Sequence, residues 1–289
     1  FALSQRLENK FISFTIDNPS DNALHTIVTT LALTHFNTFE TRIKSFISEA
    51  MVWATINVHH MVNECFKAVG ERFHYVYGLK DICAVMQGMS RATTRFFDSP
   101  ASLISLWIHE CERVYSDRFV SKSDFQIFKK KLNDACFKWF DEYDDDINMI
   151  VSKNNLYAPL VLQGLEPGSE LDQTMYSVML NMDKAKRVVA EKHLEFQRSA
   201  KLAPFVTLTH SLSHITRLTR AMTQPSGHVI FLGSHGSERR VLIAISAYIL
   251  GIELVSGKGS YDDFWKACKR WHKEAGLHSK RVVVVLEDD

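Results

Sequence analysis

Residues 228–250 read HVIFLGSHGSERRVLIAISAYIL. The short apolar run Val229, Ile230, Phe231 and Leu232 predicts a strand, Gly233 to Ser237 a loop of small and polar residues, and an apolar pattern at helical spacing begins at Val241. Strand, loop, helix is the layout in which backbone N–H groups and a helix N-terminus hold phosphate. The phosphate-loop pattern G-x-x-x-x-G-K-[ST], laid from Gly233, runs over Ser234, His235, Gly236 and Ser237. It then asks for glycine, lysine and a hydroxyl residue where this chain has Glu238, Arg239 and Arg240. The frame survives and the chemistry does not.

Each departure has a physical consequence. Glycine at the sixth position lets backbone approach phosphate, whereas Glu238 places a negative charge there. Two like unit charges about 4 Å apart repel by roughly 4 kcal/mol at an effective dielectric of about 20. Arg239 keeps a cation in place of lysine, although its planar fork is a different donor from a point charge. Arg240 brings no hydroxyl to Mg²⁺ and, as a cation, repels the metal. A Gly/Ser turn without a ligand is the plain alternative for this loop.

Downstream, Ile252–Val255 predicts a second strand, residues 261–274 a helix with Trp265 and Trp271, and Arg281–Leu286, with its four valines, a third strand. A continuous β-branched run suits a strand buried in a parallel sheet. Glu287, Asp288 and Asp289 follow it, where a phosphate-loop fold keeps a carboxylate for Mg²⁺, although acidic residues after a strand are also ordinary turn residues. Strand, loop, helix, strand, helix, strand predicts an open α/β sheet with its ligand edge at the carboxyl ends of the strands.

Upstream the pattern is helical. Phe11, Phe14 and Ile16 predict a short strand, and Ser20 a cap for a helix over 21–35. Further helices are expected over 39–68, 79–89, 102–118 and 124–140, then an irregular stretch with Pro159, Gly164, Pro167 and Gly168, then helices over 183–200 and 205–222. The acidic run Asp141–Asp146 has neither the sixth-position glycine nor the twelfth-position glutamate of a calcium loop in register, and reads as a solvated helix end. His210 and His214 stand at i, i+4 without the H-E-x-x-H glutamate or an evident third ligand, so they read as polar surface positions and no metal site is expected.

The 289 residues carry a formal charge of +1 with 46% hydrophobic and 23% charged side chains, which is globular composition. Near-neutrality argues against a dedicated nucleic-acid binder, and no apolar run reaches the ~18 residues of a membrane span. Five scattered cysteines without a C-x-x-C pair read as buried reduced thiols. The chain reads as soluble, intracellular and excerpted from a longer polypeptide.

Three runs in order resemble dynein heavy chains. Tyr75–Gly88, YVYGLKDICAVMQG, is similar to the dynein form HYxFNLRDxxxxxQG; Leu106–Arg118, LWIHECERVYSDR, to LWxHExxRVxxDR; and His228–Leu242 to the axonemal form HALLVGVGGSGRQSL. The resemblance implies an α/β plus all-α chain: the helical small subdomain of one AAA+ module followed by a parallel-sheet, P-loop-type AAA+ large subdomain. On that placement residues 1–20 end the third large subdomain, 21–150 hold the third small subdomain, 151–182 are an irregular linker, and 183–289 begin the fourth module.

The resemblance also implies roles. Arg6 falls where the family carries an arginine reaching the neighbouring module's nucleotide, and Lys80 where it carries a sensor arginine. Glu287 or Asp288 occupies the second acidic motif. The implied parent is an axonemal motor ATPase using ATP or ADP with Mg²⁺, while the loop 233–240 is compatible with holding none. Implied partners are microtubules, other dynein heavy, intermediate and light chains, and neighbouring AAA+ modules, with no nucleic acid and no membrane. The implied location is cytoplasm, cytoskeleton and ciliary or flagellar axoneme. A dynein-related scaffold with an inactive ring is the competing reading, and a small independent P-loop kinase a third.

Overall fold

Local chemistry at the helix starts fixes much of the architecture. Ser20 caps α2 (Asp21–His35), its Oγ accepting from the Ala23 backbone N–H at 3.4 Å. Ser99 and Ser102 form a reciprocal capping box, with Pro100 at the first position of α6 (Pro100–Tyr115), where its missing N–H costs nothing. A computed structural model describes residues 4–12, 14, 18–153, 155–164, 172, 175–199, 206–225, 227–234, 236–256 and 261–286.

After a short α1 (Gln5–Glu8), the first half is helical: α2, α3 (Thr41–Phe46), α4 (Val52–Cys65), α5 (Leu79–Met89), α6, α7 (Lys122–Trp139) and α8 (Asp144–Lys153). The expected single helix over 39–68 is α3 and α4 joined through a π-helical turn, Ile47–Met51. One continuous core runs through this half, with Phe36, Met51, Ile56, Ile82, Leu103, Trp107, Tyr115 and Phe128 fully or nearly fully buried. Polar atoms inside it are paired: the Trp107 indole donates to Thr55 Oγ1 at 2.8 Å, and that hydroxyl donates to the Met51 carbonyl at 2.8 Å. Buried Asp124 accepts from Arg72 and, at 3.0 Å, from the Tyr75 hydroxyl.

Several expectations are corrected. Phe11, Ile12 and Phe14 form no strand, and the rest of that predicted strand lies outside the described residues. Asp144, Asp145 and Asp146 begin a helix rather than end one; carboxylates in the first turn meet the positive end of its dipole. The expected irregular linker holds an antiparallel ribbon, β1 (Tyr157–Pro159) with β2 (Tyr176–Val178), pairing Tyr157 with Val178 and Pro159 with Tyr176. Its prolines and glycines hid it, because strands of three residues are too short for a period to emerge. The cysteines are all free, yet only Cys111 and Cys136 are buried, where burial raises both thiols and brings Cys136 to about 12.

The second half continues with α9 (Met182–Ser199), α10 (Thr209–Thr223), α11 (Arg239–Ile249), β3 (Glu253–Ser256), α12 (Tyr261–His278) and β4 (Val282–Val285). β3 and β4 pair in parallel, Glu253 with Val282 through Ser256 with Val285. A second core, including Ala158, Leu162, Val189, Leu212, Ile215, Leu242 and Ile245, joins the ribbon to α9, α10 and α11. The expected strand over 229–232 carries no strand pairing, and Ile230 and Leu232 are more than four-fifths exposed. Among the described residues the parallel sheet therefore has two strands, helix-linked as a βαβ unit requires. No helix of the described residues is long and apolar enough to cross a membrane.

Candidate functional site

The loop lies between α10 and α11. Phe231, half-buried, packs into the second core, its ring 5.7 Å from that of His214. Gly236 takes φ +80°, a left-handed backbone that glycine adopts without steric cost, and the Ser237 N–H donates to the Ser234 carbonyl at 3.3 Å. A turn closes there, and helix α11 starts at Arg239, two residues before the sequence pattern suggested.

Glu238 stands at the N-cap with φ +55°, left-handed, and makes no side-chain cap hydrogen bond. A residue with a Cβ is strained by about 1–2 kcal/mol in that conformation. The position is the one where the phosphate-loop pattern uses glycine, and its backbone takes a left-handed conformation that glycine adopts without strain. Its carbonyl still accepts from the Leu242 N–H at 3.0 Å, closing the first helical turn. Beside it two side chains of the loop lie close to Gly233. A Cβ built on Gly233 would meet Ser237 Oγ at 2.7 Å and Arg239 Cδ at 3.3 Å.

The loop lacks the groups with which the phosphate-loop pattern holds Mg²⁺ and a triphosphate. Arg240 has no hydroxyl for the metal, Glu238 adds an exposed negative charge at the helix mouth, and Ser237 and Arg239 crowd Gly233. Among the described residues no group of three or more histidine, cysteine, aspartate or glutamate side chains could hold a metal ion. His235, Glu287 and Asp288 lie outside the described residues. Arg6 on α1 and Lys80 in the first turn of α5 are exposed. Helix α5 packs on α2, α4 and α6, while α11 packs chiefly on α9, α10 and β3, so the loop and Lys80 belong to different packing groups.

A second constellation joins the halves. The Glu110 carboxylate, on α6, has no solvent exposure and accepts from Arg220 of α10, with Nε at 3.2 Å from Oε1 and 3.1 Å from Oε2, and Arg220 Nη2 also on Oε2. Arg220 holds its proton above the usual guanidinium range; burial opposes this, and the Glu110 charge and hydrogen bond override it. Arg91 donates to the Thr223 hydroxyl at 2.8 Å and sits 3.9 Å above the Tyr176 ring. The Tyr176 hydroxyl in turn meets His109 Nε2 at 2.9 Å. One turn away, Asp117 lies 3.1 Å from Arg113 Nε and 3.3 Å from Arg217 Nε.

Sequence reading passed over this network, though a signal was present. Leu103, Leu106, Trp107, Glu110 and Val114 share one buried face of α6, so a carboxylate falls in an apolar stripe. A charge at such a position requires a buried partner.

The AAA+ lid domain family matches residues 51–150, and the family described as P-loop containing dynein motor region D4 matches residues 204–289. The dynein beta chain of the flagellar outer arm of Chlamydomonas reinhardtii is 25% identical over 293 residues, covering 100% of this chain and 6% of that relative. Dynein axonemal heavy chain 11 of Sus scrofa is 28% identical over 256 residues, covering 88% of this chain and 5% of the relative. Dynein axonemal heavy chain 2 of Mus musculus is 28% identical over 293 residues, covering 99% and 6%. The chain thus spans about one-twentieth of the length of these relatives. Lid helices, loop and parallel strand pair, taken with matches along the whole chain, make it match a segment of dynein heavy chains, an AAA+ lid followed by motor region D4.

Proposed function

We propose that the chain is part of the AAA+ ring of an axonemal-type dynein heavy chain whose parent couples ATP hydrolysis to movement on microtubules in a cilium or flagellum. Within it, residues 233–240 are the degenerate nucleotide cradle of a module acting as a structural or regulatory wedge of the ring. The observation that carries this reading is Glu238, left-handed at the mouth of α11 where a phosphate-binding loop uses glycine. The crowding of Gly233 by Ser237 and Arg239 supports it. The first half then contributes to nucleotide sites completed elsewhere in the parent: Arg6 as a cation for a neighbouring module's nucleotide, and Lys80 as the sensor of its own module. Glu287 or Asp288 stands at the second acidic motif of the degenerate module.

The test is titration of the 289-residue chain with a fluorescent ATP analogue and Mg²⁺, beside the triple variant Glu238→Gly, Arg239→Lys, Arg240→Ser. Wild type is expected to show no saturable binding below millimolar concentration, and the variant to gain at least ten-fold. Mg²⁺–ATP held beside residue 240 in wild type would overturn the reading. A non-motor scaffold built on the same ring is favoured by Lys80, which replaces a bidentate fork with a point charge. An ATPase measurement on the parent heavy chain separates the two.

A further inference from the structure

Two imidazoles on α10 converge in a way their spacing alone does not dictate. His210 Nε2 and His214 Nε2 lie 3.0 Å apart, with the rings at 84° to one another. His210 is exposed and His214 half-buried, and the helix that carries them is anchored by buried Leu212, Ile215 and Leu218 and by the Arg220–Glu110 pair. In its neutral form either ring can leave one nitrogen bare, and so present a lone pair. A hydrogen bond between one protonated and one bare nitrogen accounts for the contact, and the same two nitrogens can instead face a metal. That exchange needs one ring to move its proton from Nε2 to Nδ1, with no net change in protonation.

The separation is compatible with cis coordination of a metal. At metal–nitrogen bonds of about 2.0–2.1 Å, nitrogens 3.0 Å apart subtend roughly 90–95° at the metal, and a tetrahedral angle would need about 3.3–3.4 Å. The smaller angle is the cis angle of square-planar or octahedral coordination. We propose that His210 and His214 form a two-nitrogen surface site for a divalent transition ion that prefers cis coordination, Cu²⁺ before Ni²⁺ before Zn²⁺, with water in the remaining positions. Arg217, one turn further along the helix, weakens the site by repulsion, and its ion pair with Asp117 limits that effect.

The probe is Cu²⁺ added to the 289-residue chain, with binding followed by the visible ligand-field band and by electron paramagnetic resonance. His210→Ala is the first variant, because that side chain is exposed; His214→Asn is the second, and far-ultraviolet circular dichroism checks the fold of each. The expected result is one tightly held Cu²⁺ with two-nitrogen coupling in wild type, weakened at least ten-fold in either variant with the coupling lost. The proposal is overturned if His210→Ala keeps the stoichiometry and the signal, if wild type holds no Cu²⁺, or if Zn²⁺ binds more tightly than Cu²⁺ and Ni²⁺.

Discussion

The carboxylate of Glu110 and the guanidinium of Arg220, 110 residues apart in the chain, meet as an ion pair whose carboxylate has no solvent exposure. Burying such a pair gains little overall, since desolvation offsets attraction, but removing one member strands the other. Glu110→Leu is therefore expected to destabilise the chain by about 3–5 kcal/mol, because the buried Arg220 guanidinium loses its carboxylate. The double change Glu110→Leu with Arg220→Leu is expected to cost less than Glu110→Leu alone. Urea unfolding of these two variants and of Arg220→Leu alone measures this, and additive losses would contradict it.

Gly88 gives a prediction opposite in sign to the usual one. Alanine in place of glycine inside a helix ordinarily stabilises by about 1 kcal/mol. Here a Cβ on Gly88 would lie 1.8 Å from Glu110 Oε2, so the ion pair occupies the space a methyl group needs. Gly88→Ala is expected to destabilise by about 1–3 kcal/mol. The loss should shrink sharply in a Glu110→Ala background, as thermal unfolding of the pair of variants would reveal.

His109 makes stability depend on pH. Burial, then the charges of Arg113 and Arg220, holds its pKa well below the usual 6.5, so the folded chain keeps it neutral while the unfolded chain binds a proton below that pH. Stability is thus full above pH 6.5 and falls as pH drops, with a slope approaching 1.4 kcal/mol per pH unit from this one group. His59, also depressed by burial, adds in the same direction, and Glu112, raised by burial, opposes it at lower pH. The difference in denaturation midpoint between wild type and His109→Gln, followed from pH 7 to 5.5, isolates the His109 share.

Glu238→Gly separates strain from charge. Glycine removes about 1 kcal/mol of left-handed strain and forfeits a few tenths from an exposed carboxylate near the helix N-terminus. The net expectation is stabilisation of about half a kcal/mol, read from the urea midpoint. Destabilisation would mean that the carboxylate has an essential partner.

Helices with caps and long apolar faces were legible in the sequence. Residues 79–89 and 21–35 form as spacing and Ser20 predict, because each element carries its own signal. What failed depended on distant partners. Val229–Leu232 has strand composition, yet a strand exists only where a neighbour offers hydrogen bonds, and Ile230 and Leu232 face solvent. The loop's frame was visible from Gly233, but the left-handed turn at Glu238 was not, since nothing local distinguishes a glutamate kept in a glycine conformation. Glu110 needed a residue 110 positions later to make sense.

That separation also has a consequence in time. Ribosomes add about 5–20 residues each second, so α6 emerges roughly 5–20 seconds before Arg220 exists to meet it. During that interval Glu110 must stay hydrated or carry a proton, and the lid cannot close its last face. Synthesis from the N-terminus therefore leaves the first half with an open seam, sealed only when α10 arrives.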